Sequence, residues 1–166
     1  MTRQDNKLND RNPNATLDVK DLTMAYGSFV LMQNLKVTIN KGDIFIIMGG
    51  SGCGKSTLMR HMVGLKAPAK GQVLYDGVSF WDADPAVRDR FMQKIGISYQ
   101  SGALFSSMTL AENVGLPLNL HTNLDEDMIS EIVRFKLSLV GLGGFENYYP
   151  SDISGGMRKR AGLARA

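Results

Sequence analysis

The sequence has a single cysteine, Cys53, so no disulfide can form within the chain. Together with an N-terminal stretch, MTRQDNKLNDRNPNAT, that holds no apolar run of the secretory kind, this predicts a reducing, cytoplasmic setting. Long hydrophobic runs are also lacking. The longest is Ile44-Phe45-Ile46-Ile47-Met48, far below the ~20 residues a membrane-spanning helix needs. Charge of one sign is scarce: 19 Lys+Arg stand against 16 Asp+Glu, a formal net charge of +3, which gives no footing for nucleic-acid binding. Aromatics are 8% of the 166 residues. No repeat with a period of 20–50 residues is found, which excludes a solenoid.

What is present is a globular balance, with 43% apolar and 21% charged residues, enough to bury a core. Residues 1–15 are polar and rich in Asn, and are expected to form a flexible arm. From Leu17 the chain alternates strand-like and helix-like segments. Leu17–Leu22 and Leu35–Ile39 read as short strands, and Asn40-Lys41-Gly42-Asp43 as a turn. The run Ile44–Met48 predicts a strand buried on both faces, followed by a helix over Lys55–Leu65. Asp76-Gly77 between Gln72–Tyr75 and Val78–Phe80 predicts a hairpin. Asp84-Pro85 opens a helix to about Lys94, and Ile95–Tyr99 reads as another strand. The stripe Met128, Ile129, Ile132, Val133, Leu137, Val140 predicts a helix over about 125–140. Gly141–Pro150 reads as loop, and Ser154 is placed to cap a last helix. These elements point to a layered α/β domain with some antiparallel sheet and a helical region at about 101–153.

Two segments carry chemistry. Gly49-Gly50-Ser51-Gly52-Cys53-Gly54-Lys55-Ser56 fits G-x-x-x-x-G-K-[ST], and Thr57 follows it. Glycines let the backbone curl so that several N–H groups aim at a phosphate, and the following helix adds its own free N–H groups and positive dipole end. Lys55 supplies a point charge for the β/γ-phosphates, and the Ser56 hydroxyl suits Mg²⁺. Cys53 is read as a small filler rather than as a reactive thiol. The second segment, Ile153-Ser154-Gly155-Gly156-Met157, stands at a helix start and offers the same physics: open N–H groups, a hydroxyl and a helix dipole. The chain thus carries two anion-suited helix starts about a hundred residues apart.

In these features the sequence resembles the ATP-binding subunit of ABC transporters over about Leu17–Ala166. Gly49–Ser56 resembles the Walker A motif of that family, Gln100 its Q-loop glutamine, and Ser154-Gly155-Gly156 its signature motif, with Ile153 in place of Leu and Met157 in place of Gln. The run Gln100-Ser101-Gly102-Ala103-Leu104-Phe105 through Met108-Thr109 and Glu112-Asn113-Val114 is also similar to that family. Tyr26 stands where the family stacks an aromatic on adenine. The run Ser154-Gly155-Gly156-Met157-Arg158-Lys159-Arg160 resembles one branch, the ATPases of bacterial lipid-trafficking importers with MCE-type partners, the Mla system.

The resemblance implies a P-loop NTPase fold of the ABC type, with an antiparallel β subdomain, a helical subdomain and the C-terminal part missing. It implies ATP and Mg²⁺ as cofactors, the metal held by Ser56 and Gln100. It implies a homodimer in which each ATP lies between Gly49–Thr57 of one subunit and Ser154–Gly156 of the other, and in which Gln100 couples Mg²⁺ to a transmembrane permease. The expected place is the cytoplasmic face of the inner membrane, as a peripheral subunit energising phospholipid transport. The family's Walker B strand, D-loop and switch histidine find no match up to Ala166, so the expectation is of a partial sequence. Val73-Leu74-Tyr75-Asp76 is apolar and ends in Asp, but Gly77 makes it a hairpin. His61 and His121 do not match the switch histidine. No general base is visible, so turnover by these 166 residues alone is not expected. A non-catalytic nucleotide-binding fragment, or another P-loop enzyme such as a kinase, are the competing readings.

Methionines 59, 62, 92 and 128 are expected in the core, Phe80 and Trp81 in packing, and Arg158-Lys159-Arg160 on a solvated helix face or in a phosphate-side contact.

Overall fold

The computed structural model describes residues 15–166, so the expected N-terminal arm lies almost wholly outside the described residues. The chain divides after Met92 into two compact units, each described by itself.

The first unit is built on a four-stranded sheet, wholly antiparallel. Strands β1 (Ala15–Tyr26) and β2 (Phe29–Asn40) form a hairpin across a two-residue turn, closing at the Tyr26↔Phe29 pair. Both run well beyond the expected Leu17–Leu22 and Leu35–Ile39. Their alternation is broken by register shifts, near which Asp21 and Asn34 take positive φ, so the period-2 signal is interrupted in sequence. Helix α1 (Lys55–Met62) packs on β1. Strands β3 (Lys70–Tyr75) and β4 (Val78–Ser79) form the expected hairpin around Asp76-Gly77, with Tyr75 opposite Val78. Helix α2 (Pro85–Met92) follows.

The core of this unit lies between sheet and α1: Val19, Leu22, Met24, Val73, Leu58 and Met62 are buried. Tyr75 and Phe80 extend it, with ring centroids 5.5 Å apart, and Trp81 meets Phe80 edge-on at 5.2 Å, as expected for packing residues. The Tyr75 hydroxyl donates to the Met62 carbonyl, and burial pushes its pKa up to about 12. Of the four methionines assigned to the core, Met62 is buried and Met92 partly buried, whereas Met59 and Met128 are about half exposed. Both lie on the outward side of their helices, and the buried stripes are carried by Leu58, His61 and Met62 and by Ile129, Val133 and Leu137.

Ile44–Met48 is a correction. It forms no strand, and Ile44, Ile46 and Met48 are strongly exposed. A strand exists only with a ladder partner. Among the described residues the four strands pair with one another and none pairs with this run. Ile95–Tyr99 likewise forms no strand. The strands expected at Ile44–Met48 and Ile95–Tyr99 are therefore not formed among the described residues.

The second unit is helical: α3 (Leu110–His121), α4 (Glu126–Leu139), a 3-10 turn over Pro150–Asp152, and α5 (Gly155–Arg165). Helix α3 was not delimited from the sequence. Its start is a capping box in which Glu112 N–H donates to Thr109 Oγ1 at 3.2 Å and Thr109 N–H donates to Glu112 Oε2 at 2.6 Å. These bonds hold the Glu112 carboxyl below its usual pKa. Asp125 caps α4 through Met128 N–H at 2.8 Å. Leu110 and Val114 of α3 pack with Ile129, Val133 and Leu137 of α4 and with Ala161 and Ala164 of α5 into one core. Burial of a side chain such as Leu137 is worth roughly 1.5–3 kcal/mol.

Candidate nucleotide site

The loop between Met48 and α1 ends on Gly54, whose φ of 97° is left-handed and costs a glycine nothing. A Cβ there would come to 3.0 Å from Leu31 Cδ2, and one at Gly49 to 2.7 Å from Cys53 Sγ. The loop is therefore tight at its two ends, Gly49 and Gly54, while Gly50 and Gly52 have open space beside them. Lys55 folds back across it, its ammonium donating to the Gly49 carbonyl at 2.8 Å and the Gly50 carbonyl at 2.6 Å. Cys53 Sγ lies 3.7 Å from the same ammonium, in keeping with a small filler of the loop.

A cavity of about 310 Å³ opens beside this loop, lined by Gly52, Gly54, Lys55, Ser56, Thr57 and Tyr26 among others. It brings together six of the residues singled out from the sequence. Gly49, Gly50 and Cys53 belong to the loop through the bonds above, and Ser51 is exposed on it. Phe29 and Leu31 of β2 also line the cavity and were not anticipated; the positions that bring them there are set by the hairpin register, which the sequence does not show.

Tyr26, the last residue of β1, is half exposed, and its hydroxyl lies 3.2 Å from Thr57 Oγ1. The ammonium of Lys66 stands 3.1 Å from the centre of its ring. The Thr57 hydrogen bond, and next to it the positive charge of Lys66, lower the phenol's pKa. His61 of α1 is buried and holds its Nδ1 2.7 Å from the Lys66 carbonyl, while its Nε2 has no partner. Burial pushes its pKa down, and this outweighs the opposing hydrogen bond.

Gln100, Ser154, Gly155 and Gly156 lie in the second unit. Gln100 is exposed. The turn after it is tied to α5: Arg165 donates to the carbonyls of Ala103 at 2.8 Å and Gly102 at 3.2 Å. Gly102 has φ 82°, and Gly162 of α5 is so close that a Cβ on it would meet Gly102 Cα at 2.6 Å. Ser154 Oγ caps α5 by accepting from Met157 N–H at 3.2 Å. Ser154, Gly155 and Gly156 are exposed. Arg158 is not a free surface cation, since it donates to the Pro150 and Ile153 carbonyls and braces the turn before Ser154. Arg160 donates to Val140 and Gly141, while Lys159 is exposed.

Among the described residues no group of three or more His, Cys, Asp or Glu side chains is placed to hold a metal, and no helix is long and apolar enough to cross a membrane. Ser56 lines the cavity beside the glycine loop, and its hydroxyl is an oxygen of the kind Mg²⁺ takes.

The family model for ABC transporters matches residues 32–166. The chain is 41% identical over 151 residues to the probable ribonucleotide transport ATP-binding protein mkl of Mycobacterium tuberculosis, covering 91% of this chain and 42% of that protein. It is 41% identical over 150 residues to the intermembrane phospholipid transport system ATP-binding protein MlaF of Haemophilus influenzae, covering 90% of this chain and 57% of that protein. The chain thus spans about half the length of these curated relatives. Among solved structures, a dimeric ATP-binding cassette in a post-hydrolysis state with ADP and Pi superposes with a TM-score of 0.81 at 29% identity, over 90% of this chain and 68% of that one.

Proposed function

The chain belongs to the ABC transporter ATP-binding family, and from that premise we propose that it binds Mg·ATP at the Gly49–Thr57 loop as part of an ATPase that energises transport of phospholipid. One observation carries the binding reading: the cradle, the lysine and the Tyr26 ring line a single cavity. Phosphates fit the loop and the start of α1, replacing the Gly49 and Gly50 carbonyls as partners of Lys55. The base stacks on Tyr26, and Ser56 supplies an oxygen to Mg²⁺. The metal, when bound, neutralises phosphate charge.

The exposed, capped start of α5 supports the second part of the reading. In a head-to-tail homodimer, Ser154, Gly155 and Gly156 of one subunit face the phosphates held by the other, and their exposure leaves them free to do so. Gln100 couples the site to a transmembrane permease, with an MCE-type protein as the substrate-binding partner, at the cytoplasmic face of the inner membrane. Phospholipid is favoured as cargo by the run Ser154–Arg160 and by similarity to a relative named for phospholipid transport. A kinase reading gives no role to Gln100 or Ser154–Gly156.

Titration calorimetry with Mg·ATP tests the proposal. We expect saturable binding by the protein and at least tenfold weaker binding by Lys55→Ala, about the worth of one buried charge-assisted contact. Equal binding by the variant overturns it. ATP-dependent movement of labelled phospholipid by the assembled transporter, absent in Lys55→Ala, tests the cargo.

A further inference from the structure

We infer that Lys66 is a specificity-determining residue of the nucleotide site, acting through the ring of Tyr26 to make base stacking favour purines; the inference rests on the reading of Tyr26 as the base platform. The Lys66 ammonium lies 3.1 Å from the ring centre and donates to the Ala25 carbonyl at 3.2 Å. Lys66 does not line the cavity that Tyr26 lines. The ring thus carries the ammonium on one face, and the cation itself stands outside the cavity that Tyr26 helps to line.

The grip is built from both sides of the residue. The Lys66 N–H donates to the Arg60 carbonyl at 3.1 Å, and the Leu65 N–H donates to the same oxygen at 2.8 Å. The Lys66 carbonyl accepts from His61 Nδ1 at 2.7 Å, which fixes that nitrogen as the protonated one and leaves Nε2 as the bare atom. His61 is buried, so this bond is shielded from water. The Tyr26 hydroxyl is tied to Thr57 on the helix that carries His61. One closed circuit thus runs from β1 through the ring to α1, through His61 to Lys66, and back to β1.

The chemistry follows from ring electrostatics. An aromatic face is electron-rich, and two such faces repel when stacked squarely. A cation held on one face draws density toward itself and leaves the far face less negative. A large electron-rich base then stacks more favourably there, and a purine gains more than a pyrimidine because it overlaps more of the ring. The phosphates, held some distance away by the loop and Lys55, are indifferent to this.

The test is calorimetric titration of the protein with Mg²⁺ salts of ATP, CTP and inorganic triphosphate, for the unaltered protein, Lys66→Met and Lys66→Arg. Lys66→Met keeps the apolar stem, Lys66→Arg keeps a cation over the ring, and thermal melting checks that both fold. We expect Lys66→Met to weaken ATP by about three- to tenfold, to narrow the ATP-over-CTP preference, and to leave triphosphate unchanged. Lys66→Arg should restore ATP affinity and preference. An unchanged ATP-to-CTP ratio in Lys66→Met, or an equal loss for ATP and triphosphate, overturns the inference while leaving nucleotide binding intact. Equal affinity of the unaltered protein for ATP and triphosphate overturns the stacking reading of Tyr26 and this inference with it.

Discussion

The Tyr26 hydroxyl and Thr57 Oγ1 stand 3.2 Å apart, joining the end of the first strand to the first turn of the helix that follows the glycine loop. The contact sets Tyr26 beside the glycine loop, on the cavity that both line. It also separates what the ring contributes from what the hydroxyl contributes. Tyr26→Phe keeps the ring and its cation, so ATP affinity should stay within about threefold, the worth of one exposed hydrogen bond. Tyr26→Leu removes the stacking face and should weaken ATP by about tenfold or more, with triphosphate unaffected. Calorimetric affinities for both probes check this, and equal affinities for ATP in Phe and Leu variants contradict it.

His61 gives the first unit a dependence on pH. Burial lowers its pKa from 6.5, so the folded protein resists a proton that the unfolded chain accepts. As pH falls below about 6.5 the unfolded state binds more protons, and stability is lost until the pH passes below the folded-state value. The slope is at most about 1.4 kcal/mol per pH unit for one such group. His61→Asn retains a donor for the Lys66 carbonyl and removes the titration. Urea midpoints measured between pH 7.5 and 5 should therefore slope less steeply in the variant, and parallel slopes would assign the dependence elsewhere.

Asn113 is fully buried, and its side chain accepts from Phe105 N–H at 2.8 Å while donating to the carbonyls of Phe105, Met108 and Thr109. It is the clamp that holds the segment between the glutamine turn and α3. Asn113→Leu fills the space and strands these groups without partners, at a cost of about 2–4 kcal/mol. Chemical denaturation followed by a probe in the second unit reports it. A loss under about 0.5 kcal/mol would mean that the segment finds other partners.

Ser154 has a structural task as the cap of α5 and a proposed task across the dimer, and the two can be separated. Asn caps a helix about as well as Ser, whereas Ala loses about 1 kcal/mol. Ser154→Asn should leave the melting temperature unchanged and reduce ATP turnover by the assembled ATPase at least about tenfold. Retained turnover in a stable Ser154→Asn variant removes the hydroxyl from the proposed interface.

Much of the site was legible because its demands are local. The glycines, Lys55 and Ser56 sit within eight residues, and backbone curvature, charge and hydroxyl can be read from their order alone. The hairpin at Asp76-Gly77 and the cap at Ser154 were legible for the same reason. What the sequence hid depends on distance along the chain. Lys66 meets Tyr26 across forty residues, and nothing near either announces it. Phe29 and Leu31 reach the cavity through strand register. The spacing Thr109-x-x-Glu112 is a readable helix start, and the helix it opens carries Pro117 in its interior. Ile44–Met48 has the composition of a buried strand, but composition does not supply a neighbour.

The bare run Ile44–Met48 has a colloidal consequence. It carries no charge and no proline, has high β-propensity, and turns three of its five side chains strongly toward water. Such a segment is a template for cross-β stacking between copies. Expressed as these 166 residues alone, the chain should aggregate at high concentration, and Ile46→Lys should delay this more than a lysine at an exposed position of α4.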